Sequence, residues 1–250
     1  MGLQYALAGI MTMISDNLQA VQARIARACA ACGRRPDEVS LLAVSKTFGT
    51  EAVLEAARAG QRAFGENYIQ EAVEKIAALT RPDAPPLQWH CIGPIQSNKT
   101  QLVARHFHWA QTIDRLKIAQ RLNDQRPPDL AALNVCIQVN ADGGATKSGA
   151  SPEDAVALAL SVAKLPRLRL RGVMSIPDPL PDFDAQCAAH RRVREVFDAI
   201  AARLPAGCGE FDTLSLGMTA DLEAAIHAGS TMVRVGSGIF GARHYAVQQT

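Results

Sequence analysis

"SLLAVSKTFGT", residues 40–50, compresses a structural unit into a short stretch. A strand-like run of Leu, Ala and Val stops at Lys46, the chain turns, and Thr50 stands where a helix closing at Gly60 can begin. The same unit recurs down the chain. Strand-like segments fall at 40–46, 63–67, 88–95, 109–114, 134–140, 168–176, 211–217 and 231–240, with helix-like stretches between them. "SPED" (151–154) sets a Ser N-cap before Pro and two acids, and Thr219 opens a helix that stops at Gly229. An amphipathic helix over about 14–32, closed by Gly33, precedes the first strand.

Eight βα units in 250 residues fit a (β/α)8 TIM-type barrel in count and in length. An open doubly wound sheet would carry a glycine-rich fingerprint after its first strand, and "SKTFGT" is not one. We therefore read residues 1–250 as one barrel domain with an extra N-terminal helix. Residues 1–12 read as a disordered extension or a misassigned start.

Composition narrows the function classes. A net charge of +2 gives no field suited to nucleic acid or an anionic membrane. No apolar run is long enough to span a bilayer. "MGLQYALAGIMTMI" (1–14) lacks the basic start of a signal peptide, and Ala6 breaks the myristoylation pattern. The expectation is a cytoplasmic protein. The cysteines at 29, 32, 91, 136, 187 and 208 show no metal-ligand spacing, and several lie in apolar patterns as small core residues. "CAAC" (29–32) has redox spacing but sits at a helix C-terminus, where the dipole disfavours thiolate.

The strand ends carry the functional signal, because barrels of this kind build their sites there. They supply Lys46, then Glu66 and Asn67, then Gly93 to Ser97, Asn140, and finally Ser215, Gly217, Thr219, Arg234, Gly236 and Ser237. "SLGMT" (215–219) and "GSG" (236–238) fall in the two loops that hold phosphate on this fold, with hydroxyls to donate and glycines that admit close approach. Asp221 must then point away from the anion. Strand parity puts Arg234 on one face with Met232 and Gly236, and Lys46 on one face with Val44 and Leu42. If both faces look into the barrel, two cations share one apolar mouth. An acid such as Glu66 or Asp114 could pair with Arg234; a ligand rich in acceptors could do so too. Partial burial and a neighbouring guanidinium favour a neutral Lys46 amine, able to attack an aldehyde. A phosphorylated aldehyde with a ring nitrogen, pyridoxal 5′-phosphate (PLP), fits; so does the sugar-phosphate substrate of a Schiff-base aldolase.

"LLAVSKT" (41–47), "FGENYIQE" (64–71), "WHCIGPIQSNK" (89–99), "TIDRLKIAQRLN" (112–123), "TKSG" (146–149) and "LSLGMTADLEAAIHAGSTMVRVGSGIFGAR" (214–243) together resemble the pyridoxal phosphate homeostasis protein family. Its members are PLP-binding barrels similar to the N-terminal domain of alanine racemase. The resemblance implies that Lys46 carries PLP as a Schiff base. It further implies that Ser215, Thr219, Gly236 and Ser237 cradle the phosphate, that Arg234 meets the pyridine nitrogen, and that Asn67 lies near the cofactor. Lys147, in "TKSG", matches a lysine proposed in the family to handle PLP near the site. The family usually has Ser at the place of Thr219 and Thr at that of Ser237, so each swap keeps a hydroxyl.

Two functions follow from that resemblance: buffering or delivery of PLP to apo-enzymes without turnover, or amino-acid racemisation or lysis of the alanine-racemase type. Barrel racemases carry a further β-domain that supplies a second acid/base, and "GARHYAVQQT" (241–250) is too short for one. An arginine on the pyridine nitrogen also weakens the ring as an electron sink. We expect no catalytic residues, no metal, a monomer, and PLP-dependent apo-enzymes as recipients.

Overall fold

The computed structural model describes residues 2–81, 85–144 and 148–241, with residues 2–12 described as backbone alone. Eight strands form a closed, all-parallel barrel in chain order. They are β1 (Ser40–Val44), β2 (Ala63–Glu66), β3 (Gln88–Cys91), β4 (Trp109–Ile113), β5 (Leu133–Gln138), β6 (Leu168–Met174), β7 (Thr213–Ser215) and β8 (Met232–Val235). The ring closes where β8 lies beside β1, with Leu42 opposite Arg234 and Ala43 opposite Val235.

Helices cover the outside: α1 (Gly2–Ala31), α2 (Thr50–Arg58), α3 (Ile69–Leu79), α4 (Thr100–His106) and α5 (Leu116–Gln125). They continue with α6 (Pro152–Val162), α7 (Phe183–Ala201), α8 (Leu222–His227) and the single turn α9 (Ser237–Phe240). The sheet is buried on both faces, which is why its strands read as nearly continuous apolar runs. Alternation still sorts the side chains. Leu42, Val44, Ile92 and Met232 fill the barrel interior, whereas Ala43, Val233 and Val235 pack under the helices.

Several expected boundaries shift. The segments expected over 88–95 and 211–217 keep ladder pairing only over Gln88–Cys91 and Thr213–Ser215. The apolar letters continue after the backbone has left the sheet. In the eighth segment, Ser237–Phe240 coils into α9 with Ile239 and Phe240 buried, since a short apolar run fits a buried helix as well as a strand. Gly49, not Thr50, caps α2, and Asp221, not Thr219, precedes α8. Ser151 caps α6 as the sequence predicts, its hydroxyl accepting from Asp154 N at 3.1 Å.

The first helix starts earlier than the sequence suggests and serves the last two βα units. A stripe of Ile14, Leu18, Val21 and Ile25 is buried, following helical spacing. From the same helix, Asn17 donates to Ile239 O at 3.0 Å, and Arg24 reaches Glu223 and Thr219 O. This helix therefore braces the two loops that follow β7 and β8. Among the described residues no helix is long and apolar enough to cross a membrane.

Candidate functional site

At the C-terminal mouth of the barrel lies a cavity of about 270 Å³. Lys46, Asn67, Thr219, Arg234, Gly236 and Ser237 all line it, so six of the sequence-predicted residues meet in one place. Phe48, Ile92, Ile176 and Met218 supply apolar wall, which the sequence reading missed because their letters match ordinary core.

Lys46 is half-buried in the turn directly after β1. The next residue, Thr47, has φ 68°, a left-handed conformation that costs a β-branched residue about 1–3 kcal/mol. The ground beneath this turn is rigid. Ser45 Oγ donates to Glu66 Oε1 at 2.6 Å, and Lys75 Nζ donates to Glu66 Oε1 at 2.6 Å and to Ser45 O at 3.0 Å. Glu66 is thus committed to Lys75, which corrects the suggestion that it could neutralise Arg234.

Arg234 is buried, 3% exposed, and among the described residues its hydrogen bonds all go to neutral groups. Nη1 donates to Ser215 O at 2.6 Å and to Ser215 Oγ at 2.9 Å; Nη2 donates to Ser175 O at 2.9 Å. A guanidinium has five N–H donors. Among the described residues nothing takes the second Nη2 hydrogen or that on Nε, and the side chain lines the cavity. Burial lowers its pKa to about 10, so it stays charged at neutral pH. Asp114, the other acid suggested for it, pairs with Arg115.

Ser215 departs from its expected place. It is fully buried and sits under Arg234, its hydroxyl donating to Gln111 Oε1 at 2.8 Å, and it does not line the cavity. Strand parity explains this: Ser215 is the last residue of β7 and points into the barrel, below the loop.

Thr219 and Ser237 do face each other, with Ser237 Oγ donating to Thr219 Oγ1 at 3.3 Å. Their loops are held from behind. Arg24 Nη2 donates to Thr219 O at 2.9 Å, while Asp221 Oδ1 accepts from Met218 N at 2.7 Å. The other oxygen of Asp221 meets His190 Nε2 at 3.0 Å, which turns the carboxylate away from the mouth as the sequence requires. Burial alone would push Asp221 up, but the His190 contact, the Met218 N–H and the charge of Arg234 hold it below its ordinary value. Gly217 has φ 87°, and a Cβ there would come within 2.5 Å of Ala225 Cβ, so this turn accepts only glycine.

Asn67 presents a side chain whose Oδ1 is buried with no hydrogen-bond partner among the described residues. Its backbone is pressed by Gly93, where any Cβ would lie 2.1 Å from Asn67 O. Lys147 lies outside the described residues. Among them no group of three His, Cys, Asp or Glu is placed to hold a metal.

A barrel with an amine after β1, a buried guanidinium on β8 and hydroxyls on the last two loops defines a class of small-molecule-binding barrels. Residues 17–244 match the family described as alanine racemase, N-terminal domain. The chain belongs to that family and, within it, to the group of proteins named pyridoxal phosphate homeostasis protein. It is 52% identical to the protein of that name from Escherichia coli K12, covering 94% of this chain and 99% of the relative. Against the Pseudomonas aeruginosa protein of that name identity is 55%, covering 94% and 98%. The structure of PipY of Synechococcus elongatus with PLP bound superposes with TM-score 0.78 at 32% identity, over 91% of this chain and all of that one. An alanine racemase from Clostridium difficile shares the fold at TM-score 0.64 and 16% identity, with 58% of its length covered.

Proposed function

We propose that this protein binds PLP and holds or hands on the cofactor without transforming amino acids. The observation that carries this reading is Arg234. A buried guanidinium satisfied only by neutral oxygens, with donors to spare, is suited to an acceptor on a ligand. The ring nitrogen of PLP is such an acceptor. Thr219 and Ser237, with the backbone at Gly236, form the anion side of the same cavity and suit the phosphate. The buried, unpartnered Oδ1 of Asn67 leaves a polar atom for the ring edge. When bound, PLP supplies an aldehyde that condenses with a primary amine with loss of water, and we assign Lys46 as that amine.

The names of the relatives support a homeostatic role, and so does the lining of the cavity. Racemisation needs acid/base groups on both faces of a substrate. Among the described lining residues only Lys46 and Arg234 are ionisable, and Arg234 keeps its proton at neutral pH. One chain supplies amine, guanidinium and hydroxyls alike, which supports a monomer. All six cysteines are free, which supports a reducing, cytoplasmic setting.

The test mixes PLP-loaded protein with a PLP-dependent apo-enzyme and a scavenger of free PLP. Activation despite the scavenger establishes direct delivery; activation only without it establishes buffering. Failure to take up PLP, or turnover of ordinary amino acids at enzyme-like rates, overturns the reading.

A further inference from the structure

The barrel interior contains a row of buried polar side chains beneath Arg234 that the cavity itself does not expose. His90, Gln111 and Ser215 are each fully buried. Their hydrogen-bond directions can be read from one end, because a guanidinium only donates. Arg234 Nη1 donates to Ser215 Oγ, which passes its own hydrogen to Gln111 Oε1 at 2.8 Å. That contact fixes the amide, so Gln111 Nε2 is the atom facing His90 Nδ1 at 2.9 Å and Met232 Sδ at 3.2 Å. His90 Nδ1 must then accept. The ring proton sits on Nε2, which donates to Gln88 Oε1 at 3.1 Å at the foot of the barrel. Stacking of His90 on Trp109, centroids 5.0 Å apart and planes 8° apart, fixes the ring. Burial independently keeps His90 neutral, with a pKa lowered to about 3.

Every donor in this chain points the same way, from Arg234 down through the barrel. A carboxylate at the place of Gln111 would attract the guanidinium and compete with a ligand for its charge. A polar residue of the wrong orientation would leave the Ser215 hydroxyl hydrogen without an acceptor and free the hydroxyl to rotate off Arg234. The neutral, directed chain does neither: it aims the guanidinium and adds no carboxylate to pair with it.

We propose that Gln111, oriented by His90 and acting through Ser215, is the positioning residue for Arg234 and hence for the ring of the bound cofactor. This rests on the PLP reading for its functional consequence, though the coupling to Arg234 exists without cofactor.

The test has an arm for each. In cofactor-free protein, nitrogen NMR of the arginine side chains should show the Arg234 Nη1 hydrogens, which Ser215 accepts, protected from exchange. Gln111→Met, close in volume, should remove that protection while circular dichroism stays native. On adding PLP, Gln111→Met should move the maximum of the yellow band and weaken retention by about tenfold, the size of one lost charge-assisted hydrogen bond. Competition by inorganic phosphate, which reads the Thr219 and Ser237 side, should stay within about twofold. Ser215→Ala should match Gln111→Met, and the double variant should be no worse than either alone, since both break one chain. If Gln111→Met fails to fold, Ser215→Ala decides by the same readouts. A wild type without a yellow band but with Arg234 uncoupled in the variants would sink the PLP reading and leave the positioning role. Unchanged Arg234 protection, or additive losses in the double variant, would overturn the positioning role itself.

Discussion

Two buried cations flank the mouth of this barrel, and the protein treats them in opposite ways. Lys75, on the β1–β2 side, is given a carboxylate: Glu66 Oε1 takes its ammonium at 2.6 Å, and Ser45 closes the triad. Arg234, on the β7–β8 side, receives two carbonyls and a hydroxyl, and its nearest chain of partners is neutral throughout. The paired cation is finished. Its role is to tie the ends of β1, β2 and α3 together under the Lys46 turn. Arg234 makes no direct ion pair, Asp221 acting on it only through space, and it retains unused donors, which is what a site for an electron-rich ligand requires. Burial of charge therefore does not mark function even where no carboxylate pairs with it, since Arg126 is buried against three carbonyl oxygens outside the cavity; spare donors on the cavity wall do.

The contrast can be broken most forcefully at Glu66. Glu66→Ala leaves the Lys75 ammonium buried with only the Ser45 carbonyl and no counter-charge, and should lower unfolding stability by about 3–5 kcal/mol in a denaturant titration. A loss under about 1 kcal/mol would mean that the pair is not structural.

A second test uses pH on the neutral side. His90 titrates near 6.5 when unfolded and at about 3 when folded, so between those values the unfolded chain binds the extra proton. Stability must then fall as pH falls through that window, by up to about 1.4 kcal/mol per pH unit from this residue. In His90→Gln the slope between pH 6 and 4, taken as roughly two pH units of measurement, should flatten accordingly. An unchanged slope would show that His90 is protonated in the fold.

Arg234→Met sharpens the comparison from the other side. It should alter stability by no more than about 1–2 kcal/mol, since an apolar side chain replaces a charge that had no ionic partner. PLP affinity should nevertheless drop about tenfold or more by absorbance titration. Equal losses in stability and affinity would erase the distinction between the two cations.

The smallest expected effect is at Thr47. Relief of its left-handed strain in Thr47→Gly should offset the added chain entropy and leave stability within about 1 kcal/mol of wild type by thermal melting. A large loss would show that the Thr side chain itself holds the Lys46 turn.

Much of this was legible in the chain. The strand–turn–helix unit at 40–50 repeats often enough to fit a barrel, and parity puts Lys46 and Arg234 each on a strand face that the closed barrel turns inward. The loops after β7 and β8 revealed themselves through Ser, Thr and Gly at the expected places. Parity also held the warning about Ser215: it ends a strand rather than beginning a loop, so it points inward. Other features leave no local trace. Arg24 braces Thr219 from a helix 195 positions earlier, and nothing in its own heptad distinguishes it from a solvated arginine. Gln111 and His90 read as isolated polar residues in apolar strands until the closed sheet brings them to Ser215 and Arg234. Likewise Glu66 could not be assigned to Lys75 over Arg234, because both lie within reach of a barrel mouth and only the α3 packing selects one.

The most direct measurement reduces PLP-loaded protein with borohydride and maps the modified peptide by mass. The account predicts a phosphopyridoxyl group on Lys46, with Lys46→Ala folding normally and losing the yellow band. The same mass on another lysine, or an undiminished band in Lys46→Ala, would contradict it.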